Sequence, residues 1–462
     1  MTIAATESQR EFSSFRDPSG VIFEQDGIVY RKINPVYMNQ YGHLMTSGLY
    51  EALVAARLLI PHETVNQEKE DEILIHPEQV PFISYPYEWC FEQYRDAALA
   101  TLRIQLLAMQ FGMTLKDASA YNIQFINGQA LLIDTLSFEM YDEGPWAAYG
   151  QFCRHFFAPL MLMLHIDPRM GKMMQDYIDG IPLDLTDHLL RGKGGFAAWQ
   201  HIHLHALAVK QYGREGKKEE KPIQLSLKKA LLVSMIDSLI RSIENLKQKK
   251  QITEWGDYYS DTNYTDDSVK QKESIVTEYL KKTAPVSLVW DFGANDGRYS
   301  RCAVNLGAYV IAFDIDPVAV SRNYLANRKT KDKMLPLLLD LTCPSPAIGF
   351  ANRERKTIAR RKKPDVILML AVIHHLAISN NLPLEMIAAW LASLSKYLII
   401  EFVPKEDSQV KILLKTRIDI FPDYHETGFE SAFGKYFQLC DKTPIQQSKR
   451  TLYLLKTKLA LS

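Results

Sequence analysis

The stretch that most limits what this chain can fold into is Val289-Trp290-Asp291-Phe292-Gly293-Ala294-Asn295-Asp296-Gly297. An apolar run enters a turn bearing two glycines, and a helical pattern follows. Glycine permits the tight turn and lets a ligand approach the backbone closely. The run belongs to a series of short apolar segments, at 286–290, 309–313, 335–339, 366–370 and 397–402, that alternate with helical stretches. Such alternation predicts βαβ units around a parallel sheet. Segments 436–439 and 451–455 predict a closing antiparallel pair. The glycine loop then lies at the carboxyl end of the first strand, where open α/β sheets bind ligands.

Asp314 ends the second segment, 23 residues after Asp291. An acidic residue about 20 positions on is where such folds hold a ribose. A carboxylate can accept both hydrogen bonds of the diol. A dinucleotide fingerprint needs Gly-x-Gly-x-x-Gly, and here the middle glycine is missing. Asp291 and Asp296 would also repel a pyrophosphate, whereas Asp291 suits a cationic amino-acid end.

Four motifs carry a resemblance: WDFGANDG, FDIDP, Leu339-Asp340-Leu341 and Leu370-Ala371-Val372-Ile373-His374-His375-Leu376. In this order they resemble class I S-adenosylmethionine-dependent methyltransferases, over roughly residues 270–460. The resemblance implies a Rossmann-like, seven-stranded α/β sheet with helices on both faces and a reversed last strand. It implies S-adenosyl-L-methionine as cofactor and S-adenosyl-L-homocysteine as product. Carried over by motif, the cofactor residues are Asp291, Gly293, Ala294, Asn295 and Gly297 in the loop, and Asp314 with Ile315 at the ribose. Asp340 and Leu341 fall near the adenine, and Leu370 follows the fourth strand.

Methyl transfer needs a base only if the nucleophile arrives protonated. His374 and His375 are candidates because imidazole titrates near neutrality. Glu401, at the end of the fifth segment, is another. Asp340-Leu341-Thr342-Cys343-Pro344 invites comparison with the Asn-Pro-Pro-Tyr motif of amino-methylating DNA enzymes, but it follows the third strand and not the fourth. Its prolines read as loop-shaping. The basic run RERKTIARRKK (353–363) reads as a solvated helix face or as a contact for phosphate. Trp255, Tyr258, Tyr259 and Tyr264 read equally as a sulfonium cover or as packing.

The first half has a different texture. Residues 1–15 form a polar, flexible tail with no signal-peptide pattern. Asp26-Gly27 and Asn127-Gly128 each sit between short apolar runs and predict β-hairpins. Helices are predicted over 49–59, 92–111 and 227–246. Asp117, Asn122 and Asp134 resemble the catalytic loop and metal-binding Asp of the protein-kinase-like and aminoglycoside-phosphotransferase-like superfamily. Lys32 with Glu51 would then mimic its nucleotide-anchoring ion pair, and ATP with magnesium would be the implied ligands. The pattern departs from that family at Lys116 and at Asp134-Thr135-Leu136, which lacks the following glycine. The first hairpin also lacks a glycine-rich phosphate loop. Trp199-Gln200-His201-Ile202-His203-Leu204-His205 has no evident acidic or cysteine partner and reads as packing, so no metal site is expected.

These readings divide the chain into a tail (1–15), a kinase-like α+β domain (16–247), a linker (248–270) and the methyltransferase domain (271–462). Lys+Arg and Asp+Glu both number 54, so no net field draws the protein to nucleic acid or an anionic membrane. Five scattered cysteines without a CxxC pattern fit a reducing, cytoplasmic setting. The two-part layout, with GLYEAL and YNIQF, is also similar to a bacterial family of nodulation-associated, methyltransferase-like proteins. The expectation is a methyltransferase acting on a small molecule or saccharide, with the N-terminal half binding the substrate. A bifunctional protein with a working phosphotransferase half, and a non-catalytic S-adenosylmethionine-binding module, stand as alternatives.

Overall fold

The apolar runs of the second half become the strands of one seven-stranded sheet in the computed structural model. Residues 12–65, 73–191, 229–248, 253, 266–415 and 418–459 are described. The strands are, in chain order, Leu288–Phe292, Tyr309–Asp314, Met334–Leu338, Val366–Met369, Tyr397–Phe402, Phe437–Pro444 and Thr451–Thr457. Their order across the sheet is third, second, first, fourth, fifth, seventh, sixth. The first five run parallel, and the seventh lies antiparallel to both the fifth and the sixth. This is the expected sheet with its reversed last strand.

Residues in the centre of such a sheet face helices on both sides, so they are predominantly apolar. All five residues of Leu288–Phe292 are buried. Trp290 meets Phe313 edge-on at 5.6 Å, and Phe292 stacks on Trp390 at 6.0 Å. The strand order reverses direction between the first strand and the fourth. That switch point opens a crevice at the carboxyl ends of these two strands.

The FDIDP motif divides its labour. Asp316 caps helix Pro317–Thr330, accepting from the backbone N–H of Val318 at 2.8 Å. Pro317 follows at the first helical position, where its missing N–H has no cost. Asp314 is thereby left for the crevice.

The chain divides into two units by its internal contacts. One comprises Met1–Lys249 with Ala347–Arg355, and the other Lys250–Pro346 with Lys356–Ser462. In the first unit, a four-stranded sheet has the order Gly20–Gln25, Ile28–Ile33, Ile73–Pro77, His62–Val65. Both predicted hairpins form. Asp26 and Gly27 have φ of 53° and 77°, and Asn127 and Gly128 have 50° and 75°, as a tight turn requires. Helix Phe91–Gln110 buries a nearly continuous face and ends before Gly112, which has φ 75°.

Two expectations change. The helix predicted over 49–59 stops at Ala55, because Leu59 leaves it to bridge Leu132. The basic run is not a helix face. It lies in loop and short 3-10 turns, with Glu354 and Arg361 buried. The histidine-rich segment 199–205, the aromatic segment 255–264 and residues 1–11 lie outside the described residues. Among the described residues, no helix is long and apolar enough to cross a membrane.

Candidate active site

The site is built from the first strand outward. Asp291 lies buried at that strand's end, and its Oδ2 accepts a hydrogen bond from Ser300 Oγ at 2.6 Å. Burial disfavours its charged form and pushes its pKa up to about 7. Ser300 and Lys272 oppose this rise, and Asp314 adds to it. Gly293 follows with φ 78°, and the N–H groups of Gly293 and Ala294 both donate to Phe313 O at 2.9 Å. These bonds lock the loop onto the second strand.

The glycines serve the chain's own packing. A Cβ on Gly293 would stand 2.3 Å from Val372 Cγ2, and one on Gly297 would stand 2.6 Å from Asn323 Oδ1. Their place in the loop motif alone would suit ligand approach. The geometry assigns them to the approach of the segment after the fourth strand and of the helix after the second. At Gly293 and at Gly297 (φ 81°), left-handed backbone also excludes most other residues.

Asp314 is held in a fixed orientation. Its Oδ2 accepts from Asn295 N at 2.8 Å and its Oδ1 from Asp316 N at 2.9 Å. Each oxygen keeps a lone pair for a further donor. Burial pushes its pKa up to about 6. Beside it, Ile315 is 57% exposed, an apolar side chain left uncovered next to a buried carboxylate. At the third strand, Asp340 is half-buried, and its Oδ1 accepts from Thr342 N and Thr342 Oγ1 at 2.8 and 2.6 Å. Leu341 is half-buried and Leu370 buried.

The segment after the fourth strand is strained. Ala371 has φ 57°, a left-handed conformation that costs a non-glycine residue energy and recurs at functional sites. It sets Val372 against Gly293. A π-turn, His375–Ser379, follows, another feature frequent at functional sites. His374 is 2% exposed, and its Nδ1 has no hydrogen-bond partner. The His374 and His375 rings stand 4.1 Å apart. Burial, with Arg450 nearby, lowers the pKa of His375 to about 4 and that of His374 further. Both imidazoles are neutral at physiological pH.

Glu401 is placed differently from its role as a candidate base. It is fully buried, and its Oε2 accepts from Lys272 Nζ at 2.5 Å. Its Oε1 lies 3.6 Å from Arg450 Nη1. Arg450 in turn reaches Asp407 with two hydrogen bonds, at 2.8 and 3.2 Å. Lys272 also lies over the Tyr299 ring at 4.4 Å. A carboxylate already holding two cations is a structural anchor and a poor proton acceptor. Sequence reasoning missed Lys272, Ser300, Arg450 and Asp407. Only their burial distinguishes them from ordinary surface residues.

In the N-terminal unit, the resemblance brings together part of its set. Asn122 Nδ2 donates to Asp117 Oδ2 at 3.0 Å, and Gln151 donates to Asp117 Oδ1 at 2.7 Å. Burial and the nearby charge of Asp134 raise the Asp117 pKa. Asp134, however, is paired with Arg31, which also reaches Asp17 Oδ2 at 2.8 Å. Strand alternation sends neighbouring side chains to opposite faces. Arg31, and not Lys32, therefore supplies the cation at Asp134. Glu51 is exposed on its helix and takes no part in that cluster.

No protein-family model matches the chain. Among solved structures, it is similar to the N-methyltransferase NodS from Bradyrhizobium japonicum WM9, at 11% identity and TM-score 0.30. That match covers 42% of this chain and 97% of NodS. It is also similar to the magnesium protoporphyrin IX methyltransferase ChlM from Synechocystis PCC 6803, at 19% identity and TM-score 0.31, covering 44% and 93%. The nodulation protein NoeA of Rhizobium meliloti (strain 1021) is 33% identical over 470 residues, covering 98% of this chain and 97% of NoeA. Identity at that level along nearly the whole of both chains means that this chain belongs to the same family as NoeA.

Proposed function

We propose that the C-terminal unit binds S-adenosylmethionine in the crevice between its first and fourth strands and catalyses methyl transfer. The observation that carries this reading is Asp314, a carboxylate at the second strand's end, fixed by two backbone N–H groups beside the loop that leaves the first strand. Its free lone pairs suit a ribose diol, and exposed Ile315 beside it suits an adenine face. Asp291, with Oδ2 taken by Ser300, keeps Oδ1 for an ammonium group. Gly293, Ala294, Asn295 and Gly297 shape the loop between these two acids, with Asp340, Leu341 and Leu370 on the adenine side.

Bound there, the cofactor supplies a methyl group made electrophilic by its sulfonium. The chain's own part is to orient an acceptor atom and exclude water. We assign proton acceptance to His375, the less buried imidazole, which burial keeps neutral. His374, its ring 4.1 Å away, packs against it, and Glu401 anchors Lys272.

The acceptor we propose is a small molecule or saccharide, held by the N-terminal domain (16–247), which the linker 248–270 joins to the methyltransferase domain (271–462). Zero net charge argues against a nucleic-acid substrate. The relative's name ties it to nodulation, and we propose that setting here. The test is transfer of a labelled methyl group from S-adenosylmethionine to a panel of oligosaccharides and small metabolites. Label in an acceptor, absent with Asp314→Ala, supports the reading. Tight cofactor binding with no transfer across the panel would favour a non-catalytic binding module.

A further inference from the structure

The N-terminal unit gathers three carboxylates, Asp17, Asp117 and Asp134, on segments far apart in sequence. Like charges in a partly buried place repel, and the arrangement holds only if a cation sits among them. The side chains of Asp134 and Asp17 are 14% and 29% exposed, so water screens them only partly. The cation present is Arg31, on strand Ile28–Ile33, whose side chain is 9% exposed. One guanidinium nitrogen meets Asp134 Oδ1 and the other meets Asp17 Oδ2 at 2.8 Å. Its Nε is buried without a partner, so the planar fork is spent entirely on spanning the two acids.

Arg31 and two groups of the chain's own loop use three of the acceptor positions of Asp134. Its Oδ1 also accepts from Leu136 N at 2.9 Å, and its Oδ2 from Ser137 Oγ at 2.8 Å. Asp117 is likewise occupied, by Asn122, Gln151 and Ser119 N. Gly20 lets its strand lie close to its neighbours beside the cluster. A Cβ there would stand 2.5 Å from Lys32 O and 2.6 Å from Leu136 Cδ1.

We propose that Arg31 is a built-in cation standing where a divalent metal would otherwise be needed to hold Asp17 and Asp134 together. The cluster is thus metal-independent. It shapes the loop from Asp117 to Asn122, and it does not bind magnesium or a magnesium–nucleotide complex. Arg31 is also the lock on a latent metal site. With the guanidinium removed, Asp134 and Asp17 face each other uncompensated, and a hard divalent cation with its waters is the natural replacement.

The test is Mn2+ binding to the full chain, followed by loss of the free Mn2+ paramagnetic signal. It is measured for wild type, Asp134→Asn, Arg31→Gln and the Arg31→Gln/Asp134→Asn double variant. Circular dichroism checks the fold of each. The quantity read is the part of the binding that Asp134→Asn removes, which sets aside Mn2+ held elsewhere. The account expects none in wild type and a saturable site in Arg31→Gln that the double variant loses. Wild-type Mn2+ binding abolished by Asp134→Asn would overturn it, as would a folded Arg31→Gln that gains no such site. If Arg31→Gln fails to fold, Asp17→Asn frees one arm of the guanidinium. The account then expects Asp17→Asn to remain without Asp134-dependent Mn2+, since Arg31 still holds Asp134. Binding there would overturn it.

Discussion

Both units place aspartates at the ends of strands, and the two sets have opposite fates. In the C-terminal unit, Asp291 and Asp314 are buried among a serine hydroxyl and backbone N–H groups, which orient them without neutralising them. Burial raises their pKa values to about 7 and about 6 against the opposing pull of those hydrogen bonds. In the N-terminal unit, Asp134 is neutralised by Arg31. The first arrangement leaves acceptor capacity open to a ligand, and the second satisfies its charge from within. The residue type does not decide whether a carboxylate is a binding site; its partner does.

The largest effect should come from breaking the buried pair in the C-terminal unit. Glu401→Gln leaves Lys272, 2% exposed, without its counter-ion. Removing one member of a buried pair costs about 3–5 kcal/mol, and thermal unfolding should show a loss of that order. Arg31→Gln should cost less, about 1–2 kcal/mol, because water still reaches Asp17 and Asp134. Equal losses at the two sites would break the contrast drawn between them.

Asp314→Ala comes next. A hydrogen bond to a charged group contributes about 2 kcal/mol, so affinity for S-adenosylmethionine should fall roughly 30-fold with little change in melting temperature. Unchanged affinity would remove Asp314 from the site.

The smallest effect is the pH response. Ligand binding favours ionised Asp291 and Asp314, whose values in the folded protein are raised. Affinity should be full above about pH 8 and weaken as pH falls through 7 and 6, by about 1.4 kcal/mol per unit for each proton displaced. Stability of the unliganded protein runs the other way. The folded state binds these protons more tightly than the unfolded one, so stability declines as pH rises from about 4 to about 7. Calorimetry in two buffers of different ionisation enthalpy should detect proton release on binding at pH 7, and a flat affinity across this range would contradict the assignment.

Much of the C-terminal fold was legible because the five parallel strands are short, predominantly apolar runs, several with a glycine or acid at or just past the end. The motif FDIDP could be placed at the second strand's end, but only the cap on Val318 N separates the role of Asp316 from that of Asp314. Glu401 illustrates the limit. Its position at a strand end was readable, yet its partners Lys272 and Arg450 lie 129 and 49 residues away in sequence, and no local pattern announces them. Arg31 and Lys32 show the same limit on a smaller scale. The hairpin was readable, and which of two adjacent basic side chains faces the acids depends on the pleat and its neighbours.

The central claim concerns the crevice between the first and fourth strands. Its most direct test is a calorimetric titration with S-adenosylmethionine at about pH 8, wild type beside Gly293→Arg. At position 293, any side chain meets Val372 at 2.3 Å from a left-handed backbone. The account predicts saturable one-to-one binding by wild type and none by the folded variant. A folded wild type that does not bind, or a variant that binds as well, would contradict it.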